Sequence, residues 1–243
     1  MLAHEVRNPL MIIKAALHTL RHPDIGPATL REAAADIDEE VARLNRIVNE
    51  VLDFARPIRF EVVPVDLNAL CRESATAAQA TRGAAVGLDL DSSLGVVRTD
   101  AERLRVALVN LIVNARHAVE ARGPDAVVAT ASREAAYAAG RREPGAPIPA
   151  TVAESTRPQV WVSTRAAGDR VAIVVGDAGD GIDQADLSRV FDPYFTTKRG
   201  GTGLGLPIAR NIVEGLGGSL VVASAPGRGT EMRLELPYTP PNR

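Results

Sequence analysis

The stretch that decides the fold reads D-A-G-D-G-I over 177–182, F-D-P-Y-F-T-T-K over 191–198 and G-G-T-G-L-G-L over 200–206. Glycine takes up positive φ and lets the backbone pass close to a ligand. Backbone N–H groups exposed in this way beside a helix start can hold a phosphate group. The whole segment is therefore predicted to form one nucleotide pocket with a flap over it.

The details of this stretch exclude the commoner phosphate loops. A P-loop requires a Gly-Lys pair, which occurs nowhere in the chain, and a dinucleotide fingerprint requires a glycine where Ile208 stands. The V-A-I-K and H-R-D motifs of eukaryotic-type kinases are missing as well. The order D-x-G-x-G-I, F-x-P-x-F, G-x-G-L-G-L instead resembles the G1, F and G2 boxes of bacterial sensor histidine kinases. That family shares its ATP-binding fold with DNA gyrase and the Hsp90 chaperones.

Composition places few limits on the protein. The chain of 243 residues has room for one large or two modest domains, and 28 basic against 30 acidic residues give no reason to expect a nucleic-acid partner. Cys71 is the only cysteine, which excludes an internal disulfide and favours a reducing, cytoplasmic location. No apolar run approaches the roughly 18 residues of a membrane span, and the N-terminus does not resemble a signal peptide. We therefore expect any sensor to lie outside this chain.

The first 56 residues are predicted to form a helical hairpin. Helices are expected over 1–22 and 28–56, with the turn sequence H-P-D-I-G-P between them. Apolar residues recur at alternating steps of three and four along both helices, which is typical of a left-handed helix bundle. The predicted seam comprises Ala3, Val6, Leu10, Ile13, Leu17, Leu20, Leu30, Ala34, Ile37, Val41, Leu44, Val48, Val51 and Ala55. Because two helices alone bury too little, a second copy is expected to complete a four-helix bundle, so a homodimer is predicted.

His4 lies one step off this seam, so its imidazole is expected to face solvent. The sequence H-E-V-R-N-P-L that begins with it resembles the H box of histidine kinases. The resemblance makes His4 the acceptor of the γ-phosphate, a role suited to an imidazole near neutral pH. It also implies that Glu5 polarises the ring and that Asn8 orients the water that dephosphorylates a partner protein. The simpler alternative for Asn8 is a solvated helix residue before Pro9.

The predicted fold class is α+β, with a helical hairpin over 1–60 and an α/β sandwich that binds ATP over 61–243. Asp66 and Asp100 are expected to cap helices over 67–80 and from 101 to about 121. Strands are predicted over 86–90, 96–99, 160–164, 170–175, 220–224 and 230–236, and a last helix over 204–216. Residues 123–158 have no sustained period and are predicted to be a flexible insertion.

Two asparagines mark the helix after Asp100. Asn110 and Asn114 lie one turn apart beside its apolar stripe, although asparagine is a poor helix former. N-L-I-V-N-A resembles the N box, which implies that Asn114 binds Mg²⁺ with support from Asn110, and that His117 approaches the phosphates. The alternative is two surface asparagines. The related ATPases carry a glutamate base at the position of Asn110, so an amide there favours phosphotransfer over hydrolysis.

The glycine-rich stretch supplies the remaining expected contacts to the nucleotide. The carboxylate of Asp177 can accept a hydrogen bond from the 6-amino group of adenine, which predicts ATP over GTP. The expected contacts to the base are Gly179, Gly181 and Ile182, and those to the phosphates are Lys198, Gly201, Thr202, Gly203, Leu204 and Gly205. The helix after Gly205 would direct its N-terminal dipole at the phosphates.

The resemblance extends from Ala3 to Pro237 and implies the catalytic core of a sensor histidine kinase. Such a core would use ATP and Mg²⁺ to phosphorylate His4, pass the phosphoryl group to a response-regulator receiver domain, and dephosphorylate that partner. Two alternatives remain open. One is a degenerate nucleotide-binding scaffold or phosphatase; the other is an ATPase of the gyrase or Hsp90 type.

Overall fold

The computed structural model describes residues 2–22, 25–55, 59–80, 82–122, 159–198 and 201–238. It is a mixed α+β structure, so the predicted fold class is confirmed. The chain divides into two compact units, Met1–Pro57 with Asp192–Pro207 and Ile58–Phe191 with Ile208–Arg243. The predicted insertion at 123–158 lies outside the described residues.

The first unit contains two helices that pack against each other, α1 (Leu2–Leu20) and α2 (Pro27–Ala55). Helix α2 begins at a proline because the first helical position needs no backbone donor. Its first hydrogen bond runs from the Leu30 N–H to the Gly26 carbonyl at 3.0 Å.

The predicted seam falls into two parts. One part lies in the contact between the helices: Val6, Ile13, Leu20, Ile37, Leu44 and Val51 are partly buried, around the buried Ala16, Ala33 and Ile47. The other part lies beside this contact and remains exposed to solvent: Leu10, Leu17, Leu30, Val41 and Val48 are 44–52% exposed. A single hairpin therefore buries only half of the apolar pattern that its sequence carries.

The second unit contains the strands. In chain order they are β1 (Val63–Val65), β2 (Val86–Leu90), β3 (Val97–Thr99), β4 (Val160–Ala167), β5 (Arg170–Asp177), β6 (Ser219–Ser224) and β7 (Thr230–Pro237). Strands β1 and β3 pair in a small antiparallel sheet, and the others form a five-stranded sheet of order β2-β4-β5-β7-β6. Within it β2 runs parallel to β4 and the other neighbours are antiparallel. The predicted strands are confirmed, with several of them longer than expected.

Helices α3 (Leu67–Ala78) and α4 (Ala101–Arg122) pack against each other and contact the sheet at β2, β4 and β5. Both predicted caps are confirmed: Asp66 accepts from the Ala69 N–H at 2.9 Å, and Asp100 accepts from the Arg103 N–H at 3.0 Å. Two further helices are α5 (Gln184–Leu187) and α6 (Gly205–Gly215). None of the helices in the described part of the chain is both long and apolar enough to span a membrane.

The buried Asp100 also holds the segment that leads into this unit. Its second carboxylate oxygen accepts from the Glu61 N–H at 2.8 Å. Beside it, the Phe60 ring lies so close to Gly215 that a Cβ at Gly215 would collide with the ring. The first residues of the second unit are thus attached to the start of α4 and the end of α6.

Candidate functional site

Asp177 is the last residue of β5 and lies directly opposite Thr230, the first residue of β7. Its side chain is 5% exposed. The carboxylate oxygen Oδ1 accepts from two backbone N–H groups, those of Gly179 at 2.9 Å and Thr230 at 3.2 Å. Two donors on one oxygen fix the rotation of the carboxylate.

The loop after Asp177 is held by neighbouring backbone. A Cβ at Gly179 would come within 2.7 Å of the backbone of Ala118 in α4, and a Cβ at Gly181 would collide with the Ala225 carbonyl. Gly181 also has φ +74°, in the region that favours glycine. Both glycines are therefore required by the packing of the protein itself, whether or not a ligand approaches them.

The turn between β6 and β7 closes over the same loop. The Ser224 hydroxyl accepts from the Ile182 N–H at 2.8 Å, and the Gly227 N–H donates to the Asp180 carbonyl at 2.6 Å. At Gly229, with φ +74°, a Cβ would collide with the Asp177 carbonyl. This turn therefore sets the position of the buried carboxylate.

Helix α4 carries the polar residues of the sequence that resembles the N box. Asn110 and Asn114 are half-buried, one turn apart, and His117 is exposed one turn further along. The Arg122 guanidinium in the last turn donates to the carbonyls of Ala178 and Gly179 at 2.9 and 3.2 Å. The helix that carries the asparagines is thus attached to the loop that follows Asp177.

Sequence reasoning missed Arg116, which is 3% exposed. Its guanidinium donates to the carbonyl of Ala84 at 2.9 Å and to that of Ala78. These bonds join α4 to the end of α3 and to the segment before β2. No local sequence pattern indicates this role, because both hydrogen-bond partners are distant in sequence.

The glycine-rich segment before α6 is a tight loop of the first unit. The Tyr194 N–H donates to the Gly203 carbonyl at 3.0 Å, and both residues have φ 67°. A Cβ at Gly203 would lie 2.5 Å from the Tyr194 carbonyl carbon and 2.6 Å from the Phe195 carbonyl oxygen. This glycine is therefore required by the loop.

The other residues predicted to contact phosphate lie in the same loop. The Gly201 N–H donates to the Lys198 carbonyl at 3.3 Å, and the Leu204 N–H donates to the Thr202 hydroxyl at 3.3 Å. Helix α6 starts at the next residue, Gly205. Gly201, Thr202, Gly203 and Leu204 are thus gathered immediately before a helix N-terminus, where backbone N–H groups suit an anion.

The predicted flap begins with α5 and continues as turns to the half-buried Phe191. The guanidinium of Arg210 lies 5.1 Å from the centre of that ring and bonds to Glu214 at 2.6 Å. Phe191 is therefore held by a cation–π contact to α6.

The predicted phosphoacceptor region lies in α1. His4 and Glu5 belong to that helix, and their side chains lie outside the described part of the structure. Asn8 is exposed, as the resemblance requires for a residue that acts on a partner.

The described residues contain no group of three or more His, Cys, Asp or Glu side chains suited to a metal ion. The predicted Mg²⁺ site rests instead on the amide oxygens of Asn114 and Asn110. This is compatible with Mg²⁺ chemistry, because the ion usually takes one or two protein oxygens and completes its shell with phosphate and water.

A buried carboxylate at a strand end, a glycine-clamped loop and asparagines on the adjacent helix are the features that the sequence predicted for an ATP-binding site. Residues 99–240 match the family model described as "Histidine kinase-, DNA gyrase B-, and HSP90-like ATPase", and the chain belongs to that family. Residues 1–58 match the model "His Kinase A (phospho-acceptor) domain". The chain thus joins the two domains of a histidine kinase catalytic core.

Two curated relatives are named as histidine kinases. The signal transduction histidine-protein kinase AtoS of Escherichia coli K12 is 32% identical over 242 residues, which cover 98% of this chain and 34% of AtoS. The sensor histidine kinase ZraS of Klebsiella oxytoca is 34% identical over 241 residues, covering 97% of this chain and 44% of ZraS. The chain therefore spans less than half the length of these relatives.

Solved structures agree on the fold. Histidine kinase ThkA in complex with the response regulator protein TrrA has a TM-score of 0.67 at 25% identity, over 99% of this chain and 61% of that one. Full-length ShkA in complex with AMPPNP has a TM-score of 0.64 at 24% identity, over 100% of this chain and 46% of that one.

Proposed function

We propose that this chain is the catalytic core of a protein histidine kinase that transfers the γ-phosphoryl group of ATP to His4. The observation that carries the proposal is Asp177, a buried carboxylate held by two backbone N–H groups at the end of β5. A buried site of this kind recognises a hydrogen-bond donor. The matched phospho-acceptor domain supports the proposal, because it supplies a nucleophile that an ordinary ATPase lacks.

Asp177 would select the base. An ionised carboxylate only accepts hydrogen bonds, so it favours the 6-amino group of adenine and disfavours the 6-oxo group of guanine. The Gly179 N–H donates to this carboxylate, and Gly181 and Ile182 pack against the turn between β6 and β7, so this loop would keep the contact to the base in place.

Asn114 and Asn110 would hold the Mg²⁺ ion of Mg²⁺-ATP. The ion supplies charge neutralisation for the phosphates. An amide at position 110 cannot take a proton from water as a carboxylate does. We therefore expect bound ATP to be hydrolysed slowly and to remain available to another nucleophile. His117, Lys198 and the N–H groups of 201–205 would orient the phosphate chain.

In the phosphotransfer step, a ring nitrogen of His4 attacks the γ-phosphorus. The bond from that phosphorus to the bridging oxygen breaks, and ADP leaves with the electron pair. The transition state is loose, so the protein mainly positions the reactants and neutralises charge. Glu5 would accept the proton that the imidazole carries on its other nitrogen. The phosphohistidine then donates to an aspartate of a response-regulator receiver domain.

The test supplies γ-labelled ATP to the full chain and asks for acid-labile, alkali-stable label on the protein. His4→Gln should abolish the label, and His18→Gln, which alters an exposed histidine of the same helix, should not. Label that survives His4→Gln overturns the assignment. Free phosphate without labelled protein supports the ATPase alternative. Nucleotide binding with neither product supports the scaffold.

Asn8 supports a second activity, dephosphorylation of the partner. It is exposed on α1, where a side chain can meet a bound receiver domain. Asn8→Ala should slow loss of phosphate from a receiver domain that this chain has phosphorylated, while the label on His4 is retained. Equal loss with and without the substitution would contradict this role.

A further inference from the structure

Two buried hydroxyl groups lie beside the base-recognition carboxylate. Thr230 is directly opposite Asp177 across β5 and β7, and Ser224 is directly opposite Thr230 across β6 and β7. Residues opposite each other in antiparallel strands have their side chains on the same face of the sheet. Thr230 is 7% exposed and Ser224 is 8% exposed, so bulk water contributes little to the hydrogen bonds of either hydroxyl.

The hydrogen bonds of Ser224 determine where each hydroxyl proton lies. Ser224 Oγ is 2.9 Å from the Gly229 carbonyl, 2.8 Å from the Ile182 nitrogen and 3.0 Å from Thr230 Oγ1. The carbonyl can only accept, so the single Ser224 proton goes to it, and the Ile182 N–H can only donate. The remaining contact is satisfied only if Thr230 donates its own proton to Ser224. Ser224 then makes one donated and two accepted bonds, which is the full capacity of a hydroxyl.

This arrangement leaves the Thr230 hydroxyl without a proton to give to a ligand. Thr230 Oγ1 can then only accept, as can the ionised carboxylate of Asp177 next to it. Two neighbouring acceptors favour a ligand group that carries N–H donors, and they disfavour a carbonyl, because a buried acceptor facing another acceptor loses its hydrogen bond.

We propose that Ser224 is a positioning residue for purine specificity: by taking the Thr230 proton, it keeps the 6-position pocket composed of acceptors. The inference rests on the proposed function, in which Asp177 contacts the 6-amino group of adenine. Without Ser224, the Thr230 hydroxyl can rotate and donate to a 6-oxo group, so discrimination against 6-oxopurines weakens.

The test measures dissociation constants of ADP and inosine diphosphate by calorimetry, with Mg²⁺ and the full chain. Inosine diphosphate carries a 6-oxo group in place of the amine. Ser224→Ala should lower the preference for ADP about fivefold, the effect of one net hydrogen bond. Ser224→Thr, which keeps the hydroxyl, should retain the preference. Ser219→Ala is the matched control, since Ser219 lies on the same strand opposite Glu235 and outside this network.

If the role of Ser224 is purely structural, Ser224→Ala should weaken the binding of both nucleotides equally. An unchanged ratio of the two dissociation constants would therefore overturn the inference. If Ser224→Ala does not fold, Thr230→Val decides: it removes the acceptor and should also lower the preference, and an unchanged ratio overturns the proposal. Failure of the unsubstituted chain to bind ADP would refute the proposed function instead, so the two failures are distinguishable.

Discussion

At the scale of single residues, Asp177 is the most informative side chain to change. Asp177→Asn keeps the shape and an oxygen that can accept from Gly179 and Thr230, but it replaces the second acceptor with a donor. We expect ADP affinity to fall at least about tenfold, since hydrogen bonds to charged groups are worth more than neutral ones. Calorimetry measures the affinity, and circular dichroism verifies that the fold is retained.

The control is Asp169→Asn, which makes the same change of charge in the exposed turn between β4 and β5. It should bind ADP as the unsubstituted chain does. If the two variants bind equally well, the carboxylate of Asp177 does not recognise the base.

Cys71 offers a residue-scale test of the core. Burial raises the pKa of its thiol to about 12, well above the ordinary value of a free thiol. Since the thiolate is the reactive form, alkylation by iodoacetamide at pH 8 should be slow in the native chain and fast after unfolding. Mass spectrometry of timed samples gives both rates, and similar rates would contradict the buried position.

The raised pKa of Cys71 also makes the stability of the fold depend on pH. The folded pKa is above the unfolded one, so the contribution of this group to stability is complete below pH 9. It is lost as the pH rises from about 9 towards about 12, because only the unfolded chain then releases the proton readily. Cys71→Ser should reduce that part of the alkaline loss of stability, as measured by denaturant unfolding.

At the scale of elements, the turn between β6 and β7 contains a matched pair of glycines. Gly227 and Gly229 have φ +72° and +74°, so alanine is strained at both. A Cβ at Gly227 meets nothing within 4 Å, whereas at Gly229 it collides with the Asp177 carbonyl. Gly227→Ala should cost about 1–2 kcal/mol of stability, and Gly229→Ala should cost clearly more and weaken ADP binding.

Thermal unfolding with and without ADP measures both effects. If Gly229→Ala is no worse than Gly227→Ala, the turn does not set the position of the carboxylate.

These elements also show which features of the fold and of the candidate site could be predicted from the sequence. Alternating residues predicted β4 and β5, and the caps at Asp66 and Asp100 were predicted because they depend on residues three apart. The roles of Ser224 and Thr230 could not be predicted, because they follow from the register of strands β5, β7 and β6. Nor could the packing role of Gly179 and Gly181, since their neighbours Ala118 and Ala225 are distant in sequence.

At the scale of the whole molecule, the hairpin has more apolar surface than one copy can bury. On α2, Leu30, Val41, Val48 and Leu52 are 44–57% exposed, on the side of the helix next to the buried Ala33 and Ile47. A stripe of this kind beside a helix contact is typical of a bundle that needs more helices. The seam predicted from sequence therefore includes residues in the contact between α1 and α2 and further residues that this contact leaves exposed.

We therefore expect a homodimer through this face. Val41→Glu with Val48→Glu places two charges on the stripe and should convert the dimer to a monomer, because a buried unpaired carboxylate is costly. The matched control is Ala35→Glu with Ala42→Glu, which adds the same charge at exposed positions of α2 outside the stripe. Light scattering after size exclusion should give twice the chain mass for the unsubstituted chain and the control, and the mass of one chain for the first variant. A dimer that survives both charges, or an unsubstituted chain that is already a monomer, would show that another surface, or none, covers the stripe.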